Sequence, residues 1–433
     1  MENDKTIKTI KVAILAEEPL GWGSGKHYFP VILNNYSWNV KKKKYKFVTS
    51  FVYDTDILRN KLVTSNFDVL LVPGGGVGDG QCIKKGFKNI PKVRKWKNCI
   101  KRFIQEGNGY VGICGGAALL TELETENKRK TLVERLYNNS AITVSSVKSF
   151  YNHLAFPIFY PKQKKSPENV GAMSYVFSFK PGEMKDGRRI FSAGVPIDFI
   201  IDTSHDFFKG YNEDTLKMRW WGGPGLKLKS NQHETVDILA RYPSFDFSKN
   251  KETRIRAWCY TGGFLGLIRA LRKALLFIKR EQMSLKKVLT FTFYFMGDWK
   301  KTNKYIQLDM GDQVAMTFEK YPNKYQGRMV LCTAHPEYMI WNGGYIDEDD
   351  DTSFNCIGSG FHQWKSIQNF SKSGLKELTN TWWVVRRSVA WAAKVTADDL
   401  PPIYDYVQLN DDVKRLVGEN FWDGTEKSKM ENI

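Results

Sequence analysis

The sequence has few cysteines and histidines, and none of them is spaced as a metal ligand. Its 433 residues contain six of each. The cysteines are scattered, without a CxxC pair or a cysteine–histidine spacing of the kind that binds zinc. A disulfide framework is therefore not expected, and we predict a reducing compartment, no metal site and no cofactor.

Long apolar stretches are also lacking at the start of the chain. No leader-type segment with a small-residue cleavage site precedes the first predicted strand. We therefore expect a cytoplasmic, unprocessed protein. With 42% hydrophobic and 14% aromatic residues, the chain can still bury a large core, and its length allows two or three structural units.

The chain carries a strong excess of positive charge, with a formal net charge of +19. Such a surface attracts nucleic acid, anionic lipid or acidic protein. The lysines are spread along the chain, in stretches such as KKKKYK (41–46) and KVRKWK (92–97), and no nucleic-acid-binding motif accompanies them. A solvated lysine surface is favoured over specific nucleic-acid binding, while a protein partner stays possible.

The N-terminal part alternates apolar strands with helical patterns. Buried strands are predicted at 10–16 and 67–76, and a helix at 93–107 carries Trp96 and Ile100 on its apolar face. A further strand is predicted at GYVGIC (109–114). This alternation predicts an α/β fold with a mostly parallel sheet, helices on both faces and ligands at the carboxyl ends of the strands.

Two glycine-rich loops follow predicted strands. GWGSGKH (21–27) resembles a phosphate-binding loop but fails its spacing, since Gly21 and Gly25 are too close and His27 follows the lysine. We interpret it as a tight loop that shapes one wall of a pocket. PGGG (73–76) offers backbone N–H groups near the sheet edge to which the cysteine motif at 111–120 also leads, as an oxyanion hole requires.

The stretch VGICGGAALL (111–120) places Cys114 between a strand and a small-residue helix start. A buried structural thiol is one explanation, because free cysteine packs as a small hydrophobic residue. A sharp strand-to-helix turn would instead expose the side chain at the carboxyl end of the sheet, which is the position of a nucleophile.

A cysteine nucleophile needs a base and a group that orients the base. GRMVLCTAHPEYM (327–339) supplies both, because an apolar strand delivers His335 and Glu337 to the predicted sheet edge of Cys114. The alternative is a surface turn with an incidental His-Pro-Glu. The combination with the cysteine turn favours the catalytic interpretation.

These motifs carry a family resemblance. LLVPGGG, GICGGA and AHPE, in this order, resemble the class I glutamine amidotransferase superfamily, which has a flavodoxin-like doubly wound sheet. More narrowly, GSGKH, GYVGICGGAALL, RWWGGPGL, VDILARY and AHPE resemble the amidotransferase-like domain at the N-terminus of eukaryotic biotin protein ligases and its stand-alone microbial relatives. The match covers roughly 8–245 and 320–400, without the ligase catalytic half or a synthetase domain.

The resemblance implies roles for individual residues. Cys114 corresponds to the nucleophile, His335 to the base and Glu337 to the residue that orients it. The family likewise implies oxyanion donors at the backbone amides, which in this sequence are those of Gly75, Gly76 and Gly115.

Three other features have competing interpretations. RWWGGPG (219–225) makes Trp221, Gly222 and Gly223, together with His27, pocket candidates, although paired tryptophans before a glycine turn more often pack. His205 is predicted to be a loop histidine rather than a second group near the site. DEDDD (347–351) lacks the glycine and terminal glutamate of a calcium loop, which favours a solvated acidic loop.

The expected organisation is an amidotransferase-like α/β domain, 1–245 and 320–433, interrupted by a basic, partly helical insertion at 246–319. Residues 264–280 form an amphipathic helical pattern with too many charges to span a bilayer. Peripheral membrane contact through this helix is possible, but packing on the core beside the apolar strand predicted at 289–295 is favoured.

Two functions remain open from the sequence. One is an enzyme that hydrolyses or transfers a small-molecule amide or acyl group through Cys114. The other is a non-catalytic binding or regulatory module that keeps the fold. A peptidase of the related intracellular group is disfavoured, because those enzymes place a histidine after the cysteine, whereas Gly115 follows here.

Overall fold

The computed structural model of the chain describes its sheet-forming segments and most of their flanking helices. The described residues are 6–16, 23–34, 36–74, 90–124, 138, 142–150, 182–183, 189–190, 195–220, 223–229, 235–244, 256–261, 265, 268, 272, 298–305, 313–337, 340–341, 378–379 and 381–403.

Among the described residues, strands outnumber helices. The strands are β1 (Thr6–Leu15), β2 (Ser37–Val40), β3 (Lys43–Val52), β4 (Val69–Val72), β5 (Gly109–Ile113), β6 (Glu122–Glu124), β7 (Val147–Phe150), β8 (Gly182–Glu183), β9 (Arg189–Ile190), β10 (Val195–Ile201), β11 (Thr215–Trp220), β12 (Gly225–Leu228), β13 (Val236–Arg241), β14 (Arg256–Thr261), β15 (Asp298–Tyr305), β16 (Val314–Lys320), β17 (Arg328–Cys332), β18 (Ile340–Trp341) and β19 (Leu378–Thr379). The helices are α1 (Gly23–Leu33), α2 (Asp54–Leu58), α3 (Ile90–Gln105), α4 (Gly115–Leu119) and α5 (Trp382–Ala392), with short 3₁₀ turns at Asp206–Phe208 and Ala397–Asp399.

Five parallel strands form the centre of the main sheet. Their spatial order is β3-β1-β4-β5-β17, with parallel pairing between all neighbours. Numbered along the chain, this is the flavodoxin-like order 2-1-3-4-5. The predicted α/β, flavodoxin-like fold class is confirmed. β4 and β5 are buried along their whole length, as expected for strands covered on both faces.

Antiparallel strands extend this parallel centre on both sides. β2 pairs with β3 at one edge, and β16, β13, β10 and β11 continue the sheet beyond β17. β12 pairs antiparallel with both β16 and β7, and β6, which pairs parallel with β7, completes a 13-stranded sheet. The parallel arrangement inferred from the sequence therefore applies to the strands that carry the cysteine and histidine motifs.

Helices cover both faces of the sheet, as predicted. The apolar side chains of α1 and α5 belong to one core cluster, and those of α2, α3 and α4 belong to the other. Trp96, Ile100 and Phe103 of α3 are almost fully buried, which confirms the predicted apolar face of that helix.

The described parts of the predicted insertion fall into two groups. β14 and β15 form a separate antiparallel pair, whereas β16 begins at Val314 and lies within the main sheet. Leu265 and Ile268, on the predicted amphipathic helix, are exposed. The predicted strand at 289–295 lies outside the described residues, and the division into a domain and an insertion stays a prediction, as does membrane contact through 264–280.

No helix in the described ranges combines the length and apolar character needed to cross a membrane.

Candidate functional site

Cys114 occupies a strained turn between β5 and α4. Its backbone has φ 50° and ψ −112°, a conformation that costs energy for any residue with a side chain. The Cys114 amide donates to the Cys332 carbonyl at 2.7 Å, which ties the turn to the end of neighbouring β17. This is the sharp strand-to-helix corner that the sequence predicts.

Glycines allow α4 to press against the strand ends beside Cys114. A Cβ at Gly116 would lie 2.1 Å from the Val72 carbonyl oxygen, so no side chain fits there. The Tyr110 hydroxyl donates to the Gly116 carbonyl at 2.6 Å and holds the same turn from below. The turn after Cys114 is thus packed closely against β4 and hydrogen-bonded to a side chain of β5.

His335 and Glu337 lie together at the end of β17. His335 Nδ1 is 2.7 Å from Glu337 Oε1, and both side chains are buried. Burial by itself lowers the pKa of His335, but electrostatic interactions with Glu337 and Cys114, together with hydrogen bonds that the ring donates to both side chains, raise that pKa to about 10. The imidazole ring thus has both Glu337 and Cys114 as hydrogen-bond partners.

Gly74, which follows β4, packs against both Cys114 and His335. A Cβ at this position would lie 2.7 Å from Cys114 Cβ and 2.7 Å from His335 Cε1. The ends of β4, β5 and β17 thus converge, because carboxyl ends of adjacent parallel strands share one sheet edge.

The backbone of 335–337 is held by side chains and backbone groups distant in sequence. The His335 amide donates to the Arg219 carbonyl at 2.7 Å. The Thr381 hydroxyl donates to the Pro336 carbonyl at 2.7 Å, and Trp382 Nε1 donates to the Glu337 carbonyl at 2.8 Å. Thr381 and Trp382 were not predicted to contact this segment, since no sequence motif links them to residues 45 positions earlier.

The glycine turn of the RWWGGPG segment (219–225) borders the end of β17. A Cβ at Gly223 would lie 1.9 Å from the Thr333 carbonyl oxygen. The Tyr242 hydroxyl is 2.7 Å from Thr333 Oγ1 and 3.2 Å from the Pro224 carbonyl, and its burial raises the pKa of Tyr242. Gly223, a predicted pocket residue, therefore borders the strand that delivers His335.

The other predicted positions are placed as follows. Gly115 is the first residue of α4. His27 lies in α1 rather than in a loop, because the helix begins at Gly23; burial of Tyr28 and Phe29 against the sheet outweighs the low helix propensity of glycine. Predicted positions outside the described residues are Gly75, Gly76, Trp221, Gly222 and the acidic stretch 347–351.

His205 lies outside this site. It precedes the 3₁₀ turn at Asp206–Phe208, and its Nδ1 accepts a hydrogen bond from the Phe207 amide at 3.1 Å. The interpretation as a loop histidine is correct. Within the described ranges, no group of three or more histidine, cysteine or acidic side chains is placed to hold a metal ion.

Comparisons with known proteins give partial similarity. No protein-family model matches the chain. It is 28% identical over 81 residues to phosphoribosylformylglycinamidine synthase subunit PurQ from Picrophilus torridus, a match that covers 19% of this chain and 32% of PurQ. The chain thus matches about a third of the length of that curated relative.

Among solved structures, the chain is similar to a ThuA-like protein from Bacteroides uniformis. That match has a TM-score of 0.29 and 10% identity, and it covers 75% of this chain and 81% of the other. The PurQ match agrees with a glutamine amidotransferase-like fold.

Proposed function

We propose that this chain is a cysteine-dependent enzyme of amidotransferase-like type, which cleaves a small-molecule amide or acyl substrate through Cys114, His335 and Glu337. One observation carries the proposal: a buried imidazole lies 2.7 Å from a buried carboxylate and interacts with a cysteine held at a strained strand-to-helix turn. These three side chains would supply the nucleophile, the base and the orienting group that covalent acyl transfer uses, which supports the proposal.

The chemistry begins with attack of the Cys114 thiolate on the substrate carbonyl carbon. A sulfur–carbon bond forms, and the carbonyl π electrons move to oxygen. Collapse of the tetrahedral intermediate breaks the carbon–nitrogen bond, and the leaving amine takes a proton from His335. Water then attacks the thioester, with His335 as base, which releases the acid and restores Cys114.

Glu337 keeps the imidazole in position and stabilises its positive charge. The oxyanion would be held by the backbone amide of Gly115, directly after the nucleophile, and by the amides of Gly75 and Gly76.

Glutamine is the substrate to test first. The partial PurQ match and the order of the glycine, cysteine and His-Pro-Glu motifs support an amidotransferase-like enzyme. The motifs around GSGKH and RWWGGPGL further support kinship with the amidotransferase-like domain of biotin protein ligases.

A glutamine-analogue electrophile, 6-diazo-5-oxo-norleucine, tests the proposal on the full chain. We expect mass spectrometry to find the label on Cys114, and glutaminase activity to disappear in Cys114→Ala and to fall about a hundredfold or more in His335→Gln. Cys332→Ser is the matched control, because Cys332 lies on the adjacent strand, is fully buried and has a pKa raised by burial.

Equal labelling of Cys114 and Cys332 by limiting iodoacetamide would contradict the proposed nucleophile. Labelling of Cys114 by general acyl probes but not by the glutamine analogue would remove glutamine and leave the cysteine chemistry.

A non-catalytic binding module is the second candidate. Cys114 is 8% exposed and Glu337 is fully buried, so the described residues leave little of this site open to solvent. Reversible binding of a carbonyl compound without turnover, in a chain whose Cys114 still alkylates, would favour this candidate.

A further inference from the structure

A cavity of about 440 Å³ lies at one end of the strands of the main sheet, opposite to the end that carries Cys114. Arg328, which begins β17, lines it, whereas His335 follows the other end of that strand. The volume falls in the usual range of small-molecule pockets. This cavity is thus separate from the proposed catalytic site.

One end of the cavity is basic. Lys320 and Arg328 are directly paired between β16 and β17, so both side chains lie on the same face, where like charges repel. Arg328 Nη1 donates to the carbonyls of Trp391 and Val395, and no described carboxylate forms a salt bridge with either cation. Partial burial lowers the pKa of Arg328, because removing the guanidinium from water disfavours its charged form.

The other end is acidic. Asp202, Asp206 and Asp237 line the cavity, and they stand out in a chain with a net charge of +19. Asp237 Oδ2 is 3.5 Å from His205 Nε2, the ring nitrogen that does not accept the backbone hydrogen bond. Asp202 accepts hydrogen bonds from the amide and hydroxyl of Ser204. These carboxylates converge from two separate segments of the chain.

Aromatic rings form the floor between the two ends. Phe318 and Trp391 meet edge to face with their centroids 5.5 Å apart, and the His205 ring lies 5.3 Å from Trp391. The Arg328 guanidinium lies 6.0 Å from the Trp391 ring. Such a floor can cover the apolar body of a ligand and also attract a cation.

The geometry points to a binding site for a small extended zwitterion, of dipeptide size, whose ammonium group lies among the aspartates and whose carboxylate lies at Lys320 and Arg328. Asp237 on β13 and Arg328 on β17 are separated by β16, and two strand spacings amount to about 10 Å. This separation favours charges several bonds apart over the adjacent charges of a free amino acid.

The dipeptide Gly-Phe is a suitable probe, measured with the full chain by isothermal titration calorimetry. We expect the free dipeptide to bind about tenfold more tightly than either its N-acetyl or its C-amide form, since each lacks one charge. Asp237→Asn and Lys320→Gln should each weaken binding about fivefold or more. Both side chains are exposed, so the fold should persist in both variants.

Lys217→Gln is the matched control, because Lys217 is a partly exposed lysine on β11 that faces Asp198 instead of the cavity. Cys114→Ala should also bind as wild type, which keeps this result independent of the proposed enzyme. Equal binding of the blocked dipeptides, no binding of Gly-Phe at millimolar concentration, or loss of binding in Cys114→Ala would each overturn the zwitterion site.

Discussion

The main sheet is built differently at the two ends of its strands. At the carboxyl edge, His335 and Glu337 are buried, and glycines bring backbone and side chains into close contact around Cys114. Beside the amino end of β17, charged side chains such as Asp237 on β13 and Lys320 on β16 stay exposed around an open cavity, where antiparallel strands extend the sheet. A reacting group must be held in one geometry, whereas a reversible binding site tolerates mobile, hydrated charges.

The largest expected effect comes from breaking the close packing at the carboxyl edge. Gly116→Ala forces a methyl group to within 2.1 Å of the Val72 carbonyl oxygen, so α4 must move away from β4. We expect a loss of about 3 kcal/mol in the free energy of unfolding, measured by urea denaturation.

Gly210→Ala is the control, because a Cβ at Gly210 would have its nearest neighbour at 3.9 Å. Its left-handed φ of 91° should cost only about 1 kcal/mol. Equal losses of unfolding free energy in the two variants would show that α4 can move away from β4 at little cost.

The second prediction concerns pH. The pKa of His335 is raised from 6.5 to about 10 in the folded chain, so its protonated form stabilises the fold fully below about pH 6.5 and loses this contribution as the pH rises through 10. We expect the free energy of unfolding to fall between these values by a few kcal/mol. Urea titrations at a series of pH values measure the slope.

Glu337→Gln should reduce this slope, because it removes a negative charge that raises the pKa of His335, and His335→Gln should abolish the contribution. An unchanged slope in His335→Gln would show that other groups control the pH dependence.

The smallest expected effect concerns the two tryptophans at the ends of α5. One lies near His335 and Glu337, and the other lines the cavity. Trp382 Nε1 donates to the Glu337 carbonyl, whereas Trp391 Nε1, at the cavity, has no hydrogen-bond partner among the described residues. We expect Trp382→Phe to cost about 1–2 kcal/mol of stability and to slow Cys114 alkylation.

Trp391→Phe should cost less and leave the alkylation rate at the wild-type value, since no hydrogen bond is lost. Urea denaturation and timed iodoacetamide labelling measure both quantities. Slower alkylation in Trp391→Phe than in Trp382→Phe would contradict the role of Trp382 in positioning Glu337.

Much of the parallel centre can be predicted from local patterns. β4 and β5 are short, fully buried stretches, each followed two residues later by a glycine, and α3 shows its buried face through Trp96, Ile100 and Phe103. The antiparallel strands beyond β17 could not be ordered in this way, because their pairing depends on long-range register rather than on local periodicity.

The sequence by itself determined which motifs meet at the carboxyl edge, where we propose the catalytic site. A cysteine in a glycine-rich strand-to-helix turn and a His-Pro-Glu after a buried strand are local signals, and the common direction of parallel strands brings both to one edge. Only the tertiary structure decided what holds them there and what lies opposite. Thr381, Trp382 and the paired charges of Lys320 and Arg328 act through contacts between distant segments, and such contacts form only when the sheet is assembled.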